Sequence, residues 1–178
     1  MNFIKLAGLA GVLYSGAALA VQVCDANIVR TRPDSRYEAV AGTTPAGAEV
    51  RDKVTGLIWQ RCVRGMSWSG STCTGTASTH TWTAALDQAR NATPTSASPA
   101  TPWRLPNQKE LYSLPERACY SPAINSTWFP AEPGGWAWSA SPIAGYPGSA
   151  WSVPFGNGND YYYSKSGADQ VRLVRSGQ

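Results

Sequence analysis

Four cysteines, Cys24, Cys62, Cys73 and Cys119, lie behind a leader laid out for export, and this combination constrains the chain more than any other feature. Lys5 supplies a positive start, Leu6 to Leu19 is mostly apolar or small, and Ala18-Leu-Ala20 closes the segment as an Ala-x-Ala cleavage site. The run contains Ser15 and three glycines and falls short of the roughly 20 apolar residues that span a bilayer. A cleaved signal over residues 1–20 is therefore expected rather than an anchor. Val21-Gln-Val ahead of Cys24 argues against lipidation there, since small residues precede a lipidated cysteine. The expected mature chain, residues 21–178, has the length of one domain. Its destination is the periplasm, the cell surface or the medium, with no stable membrane insertion after cleavage. In such an oxidising compartment four cysteines default to two disulfides, with three pairings open. A zinc site is disfavoured, because there is no Cys-x-x-Cys and His80 is the single histidine.

The formal charge of +4, to which Lys5 contributes one, is mild and comes without a dense Lys/Arg run. Nucleic-acid binders concentrate basic charge on one face, so no nucleic-acid partner is expected. Mild basicity serves solubility first and is compatible with an acidic polysaccharide or an anionic cell surface.

From Val21 to about Ala48 the chain is polar and punctuated by proline and glycine, which reads as a segment that wraps the domain or forms a short strand. Glu49-Val-Arg-Asp, Lys53-Val-Thr-Gly and Leu57-Ile-Trp-Gln-Arg read as strand, tight turn, strand, with Gly56 able to take a positive φ. Gly65 to Thr79, dense in Ser, Thr and Gly, reads as a loop. Trp82 to Arg90 is a helix candidate with Thr81 as N-cap, because Trp82, Ala85, Leu86 and Ala89 recur at helical spacing. Asn91 to Pro102 breaks it with three prolines. A second helix is expected over Asn107 to Leu114, where Asn107 and Glu110 have capping-box spacing. Four strand-like runs follow: Trp136 to Ser141, Ala150 to Phe155, Asp160 to Ser164 and Gln170 to Arg175. Two short helices followed by an antiparallel β-meander predict an α+β domain.

Eight tryptophans against three phenylalanines is unusual usage. Trp59, Trp82, Trp103 and Trp138 fall inside regular elements and are expected in the core with their indole N–H groups satisfied. Arg104 reads as a structural ion partner of Asp52 or Glu110. Enzyme chemistry finds little support. There is no Gly-x-Ser-x-Gly elbow, Gly-rich phosphate loop or His-Glu-x-x-His, and the acidic residues are scattered without an evident pair. No catalytic residue and no cofactor is expected.

Thr55-Gly-Leu-Ile-Trp-Gln-Arg-Cys62, Trp103-Arg-Leu-Pro-Asn-Gln-Lys-Glu-Leu111, Trp138-Ser-Ala-Ser141 and Val171-Arg-Leu-Val-Arg175 stand in fixed order. This series, from about Val50 to Arg175, closely resembles the C-terminal domain of the Legionella collagen-like adhesin, a bacterial surface-domain family. The resemblance implies a C-type-lectin-like fold, related to sulfatase-modifying-factor-like domains. Locality and the resemblance together favour Cys62 with Cys73 and Cys24 with Cys119. The related formylglycine-generating enzymes rely on cysteines in the C-terminal part of the domain, and here none follows Cys119. Calcium requires six to eight oxygen ligands. The Glu-Pro-Asn, Gln-Pro-Asp and Trp-Asn-Asp motifs of calcium-dependent lectins are absent, with Glu132-Pro-Gly and Asn159-Asp160 as faint echoes, so no metal is expected. The adhesin family implies sulfated glycosaminoglycan binding, to which Lys165, Arg172 and Arg175 would contribute. The collagen-like stalk of that adhesin is missing, so trimerisation does not carry over and oligomerisation stays open.

The sharpest functional signal is Gly156-Asn-Gly-Asn-Asp-Tyr-Tyr-Tyr-Ser-Lys-Ser-Gly167. Side chains alternate along a strand, so three consecutive tyrosines cannot all face one core and at least one ring is exposed. Tyr, Ser, Gly and Asn together are the palette of recognition loops. The candidate ligand contacts are Asn157, Asn159, Asp160, Tyr161, Tyr162, Tyr163 and Lys165, with Trp151 as a neighbouring platform. The leading expectation is a binding domain for a surface glycan or acidic polysaccharide. The alternative is a module for a surface protein, including a variable target protein of a diversity-generating retroelement, since related lectin-like domains carry such Asn/Tyr/Ser/Gly-rich variable segments. A structural envelope or pilus-associated subunit comes third.

Overall fold

The computed structural model describes residues 22–92 and 101–177. The expected signal at residues 1–20 and most of the proline-rich break after Asn91 lie outside them. Within them the chain is mostly β. Val23–Cys24 (β1) is followed by Tyr37–Ala39 (β2), Glu49–Asp52 (β3) and Leu57–Gln60 (β4). The turn between β3 and β4 places Gly56 at φ 72°, and Glu49 stands opposite Gln60. The segment expected as a loop instead forms Met66–Trp68 (β5), Cys73–Gly75 (β6) and Thr79–His80 (β7). Composition hid these strands: β5 and β6 pair only with each other, and Ser and Thr are as much strand residues as loop residues once a hairpin closes.

The first helix, Trp82–Arg90 (α1), has the expected cap, with Thr81 accepting a bond from the Ala84 N–H. The second, Gln108–Leu111 (α2), carries both bonds of the capping box between Asn107 and Glu110. It ends earlier than expected. The Ser113 hydroxyl takes the Glu110 carbonyl at 2.7 Å, in competition with further helical bonding, and Pro115 has no N–H to continue with.

Cys119–Tyr120 (β8) pairs with β1. Trp136–Ile143 (β9), Tyr146–Pro154 (β10) and Tyr161–Ser164 (β11) form the antiparallel meander. The last expected strand is split. Asp169–Gln170 (β12) lies parallel to β9 and antiparallel to β7, whereas Val174–Ser176 (β13) leaves for a different sheet and pairs with β4. The result is a five-stranded sheet, β11-β10-β9-β12-β7, and a four-stranded sheet, β13-β4-β3-β2.

Alternation on β4 and β9 feeds two cores. Trp59, Val50, Val174, Ala137, Val153 and Phe155 pack with Leu111 and Leu114 in one; Ile58, Trp103, Leu105, Trp138 and Leu173 pack with Ala85 and Ala89 of α1 in the other. The four sequence motifs therefore meet in space. Val174 stands opposite Trp59 in register and bridges Arg104, while Trp138 packs with Trp103 and Leu173. Two indoles find carbonyls, Trp138 on His80 and Trp82 on Ser139. The Trp59 and Trp103 N–H groups, expected to be satisfied, have no partner among the described residues, and Trp82 is only half-buried.

Two disulfides, Cys24–Cys119 and Cys62–Cys73, staple the chain. No helix among the described residues is long and apolar enough to cross a membrane.

Candidate functional site

The site is built around the edge strand β11. Register places Tyr162 opposite Trp151, with Tyr161 opposite Ser152 and Tyr163 opposite Ala150. Alternation then divides the three tyrosines between the two faces of the sheet. Tyr161 and Tyr163 share a face with Trp136, whose ring centroid lies 5.3 Å and 5.7 Å from theirs. All three rings are 39–44% exposed. Tyr163 also reaches the buried Trp138, at 6.0 Å, which anchors the exposed rings to the core. On the opposite face Tyr162 stacks on Tyr146 at 6.2 Å and 14°, both more than 60% exposed, with half-buried Trp151 beside Tyr162 in register.

The loop before β11 is tied down. Gly158, at φ 75°, lies where a Cβ would come within 3.0 Å of Pro115 and Ala123. Asn157 accepts the Asn159 N–H, and Asp160 accepts a 2.6 Å bond from Gln108 of α2. Asn157 and Asn159 remain exposed; Asp160 is half-buried.

Lys165, expected among the ligand contacts, is engaged within the fold. Its ammonium donates to the Pro147 carbonyl at 2.7 Å and lies 4.3 Å from the Trp82 ring centroid. The other two expected cations are interior. Arg172 is 1% exposed, paired with buried Glu132, and donates to the Gln60 and Arg61 carbonyls. Arg175 is 5% exposed and pairs with Glu49 at 2.6 Å. Arg175 ties β13 to β3 within the four-stranded sheet, and Arg172 ties the link between β12 and β13 to the end of β4 and to Glu132, because a guanidinium offers five donors to an interior rich in carbonyls and carboxylates. Arg104 pairs with Glu110 rather than Asp52, which is taken by Arg36.

The structure thus brings Tyr161 and Tyr163 together, sets Tyr162 with Trp151 on the other face, and removes Arg172 and Arg175 from both, while Lys165 stays partly exposed beside β11. Sequence reasoning missed Trp136 and Tyr146. Trp136 had a readable signal: it stands two residues before the core Trp138, on the same side of the same strand. Among the described residues no group of three or more His, Cys, Asp or Glu side chains is placed to hold a metal ion. Chemically, the two faces offer flat apolar rings with polar edges.

A family model described as the Lcl C-terminal domain matches residues 48–175. No curated protein matches the chain.

Proposed function

Since the chain belongs to the Lcl C-terminal domain family, we propose that it is an exported, adhesin-type binding module of C-type-lectin-like fold that recognises a surface glycan and catalyses no reaction. The observation carrying this reading is the exposed Trp136–Tyr161–Tyr163 surface. Rigid rings with hydroxyl or N–H edges lose little conformational entropy on binding, and they suit the apolar C–H faces and hydroxyl rims of sugars. Because Arg172 and Arg175 are interior and paired with carboxylates, and of the three cations Lys165 alone keeps a partly exposed charge, ring stacking rather than a cationic cluster carries the recognition, and the binding responds only weakly to salt.

The test is binding of the oxidised chain to neutral and sulfated glycans at low and physiological salt. Tyr161→Ala/Tyr163→Ala is expected to lose roughly tenfold or more in affinity, as deleting ring contacts does at interface hot spots. A folded double variant that binds undiminished, or silence across the panel, would overturn the reading.

A second reading, recognition of a protein strand, is favoured by the free edge of β11. Lys165 donates its backbone N–H to Gly148 at 2.8 Å. By antiparallel alternation the N–H and C=O of Tyr162 then point away from β10, available to an added strand. Capture of an extended peptide by a chain that ignores glycans would select this reading.

A further inference from the structure

We infer that the protein carries a second, separate binding site, for a small monocarboxylic acid with an apolar or aromatic body, in the cleft between β5 and the β3–β4 hairpin. The cleft has a volume of about 200 Å³, below the roughly 300–1,000 Å³ typical of pockets for drug-sized ligands. Pro45, Ala48, Met66 and Trp68 give it an apolar wall beside the Cys62–Cys73 disulfide, and Gln60, Arg64 and Ser67 supply its polar groups.

The wall is held in place before any ligand arrives. The Trp68 indole donates to the Ala46 carbonyl at 2.9 Å, and the Arg61 guanidinium covers the ring at 3.9 Å from its centroid. Arg61 is used up by this duty, since it donates to the carbonyls of Gly47, Thr127 and Trp128. Arg64 differs. Its backbone is fixed by bonds to Val171 and Ser78, and its Nε points to Gln88 of α1 at 3.4 Å. Its two terminal nitrogens have no hydrogen-bond or carboxylate partner among the described residues, and neither do the Gln60 amide and the Ser67 hydroxyl.

Arg64 is half-buried, and a guanidinium with both terminal nitrogens unpaired matches a carboxylate in bidentate geometry. Gln60 is the other half-buried polar residue of the lining, and the remaining wall takes an apolar body rather than a second charge. The site shares no residue with the aromatic surface on β11 and stands or falls independently of it.

The experiment titrates the oxidised chain with phenylacetate and with its neutral isostere phenylacetamide, following the Trp68 indole N–H by NMR, assigned with Trp68→Phe. Saturable shifts with phenylacetate, and binding roughly ten- to a hundredfold weaker for the amide, are expected for loss of one charged hydrogen-bonded pair. Arg64→Gln, with folding checked by its spectrum, is expected to reduce phenylacetate binding to the level of the amide. Tyr161→Ala/Tyr163→Ala leaves it unchanged. Equal affinity for acid and amide, undiminished binding by folded Arg64→Gln, or no shift with either compound would each overturn the assignment.

Discussion

The ring of Tyr163 rests directly on Gly167: a Cβ at Gly167 would stand 2.1 Å from Tyr163 Cε1. The Gly167 N–H also closes the turn after β11 through the Ser164 carbonyl at 2.8 Å. The turn and the ring platform are therefore one unit.

Gly167→Ala is expected to push the Tyr163 ring off Trp136. Overpacking of this kind costs about 1–3 kcal/mol, and the variant should remain folded while losing glycan affinity alongside Tyr161→Ala/Tyr163→Ala. Unchanged affinity in Gly167→Ala would separate Tyr163 from the binding surface.

Arg172 and Glu132 are both closed from solvent. Removing one member of such a pair strands a buried charge and costs roughly 3–5 kcal/mol. Glu132→Ala is therefore expected to lower the urea midpoint sharply, whereas Glu132→Leu/Arg172→Met should recover much of the loss. A mild effect of the single change would mean that water reaches Arg172.

Cys24–Cys119 spans a sequence separation of 95 and Cys62–Cys73 one of 11. Chain entropy assigns about 4.7 kcal/mol to a loop near 100 residues and about 3 kcal/mol to one near 15. Cys24→Ser/Cys119→Ser is expected to lower Tm further than Cys62→Ser/Cys73→Ser. The reverse order would show that the short bridge stabilises mainly by its native contacts in the β5–β6 hairpin.

Asp169 is 4% exposed and meets the Ser152 hydroxyl at 2.6 Å. Burial pushes its carboxyl above the usual range, with the Ser152 bond acting in the opposite sense. A carboxyl with a raised folded pKa favours folding most below its unfolded pKa, and that contribution is lost as pH rises through the folded value. Asp169→Asn should therefore be more stable than the parent at neutral pH, with the gap closing towards and below the ordinary carboxylate range. Urea midpoints across that pH span check this; a parent that gains on the variant as pH rises would contradict it.

Much of the local structure is legible in particular residues. Thr81 and the Asn107/Glu110 pair mark both helix starts, because a cap is a bond between near neighbours. The β3–β4 hairpin follows from two short strand-like runs around Gly56. The β5–β6 hairpin was not legible, since its Ser/Thr/Gly composition suits a loop equally well. The split between β12 and β13 was also hidden. Gln170 to Arg175 has an unbroken strand pattern, and only Arg172, drawn between Glu132 and the Gln60 and Arg61 carbonyls, accompanies the change of sheet.

For the candidate site the boundary is equally physical. Three adjacent tyrosines must divide between two faces of a strand, and that follows from the backbone alone. That β11 would be an edge, that Trp136 would lie beside Tyr161 and Tyr163, and that Arg172 and Arg175 would be interior are consequences of pairings between distant segments. Local periodicity carries no information about which strands become neighbours, and burial of a charge depends on whether a carboxylate elsewhere in the chain arrives to meet it.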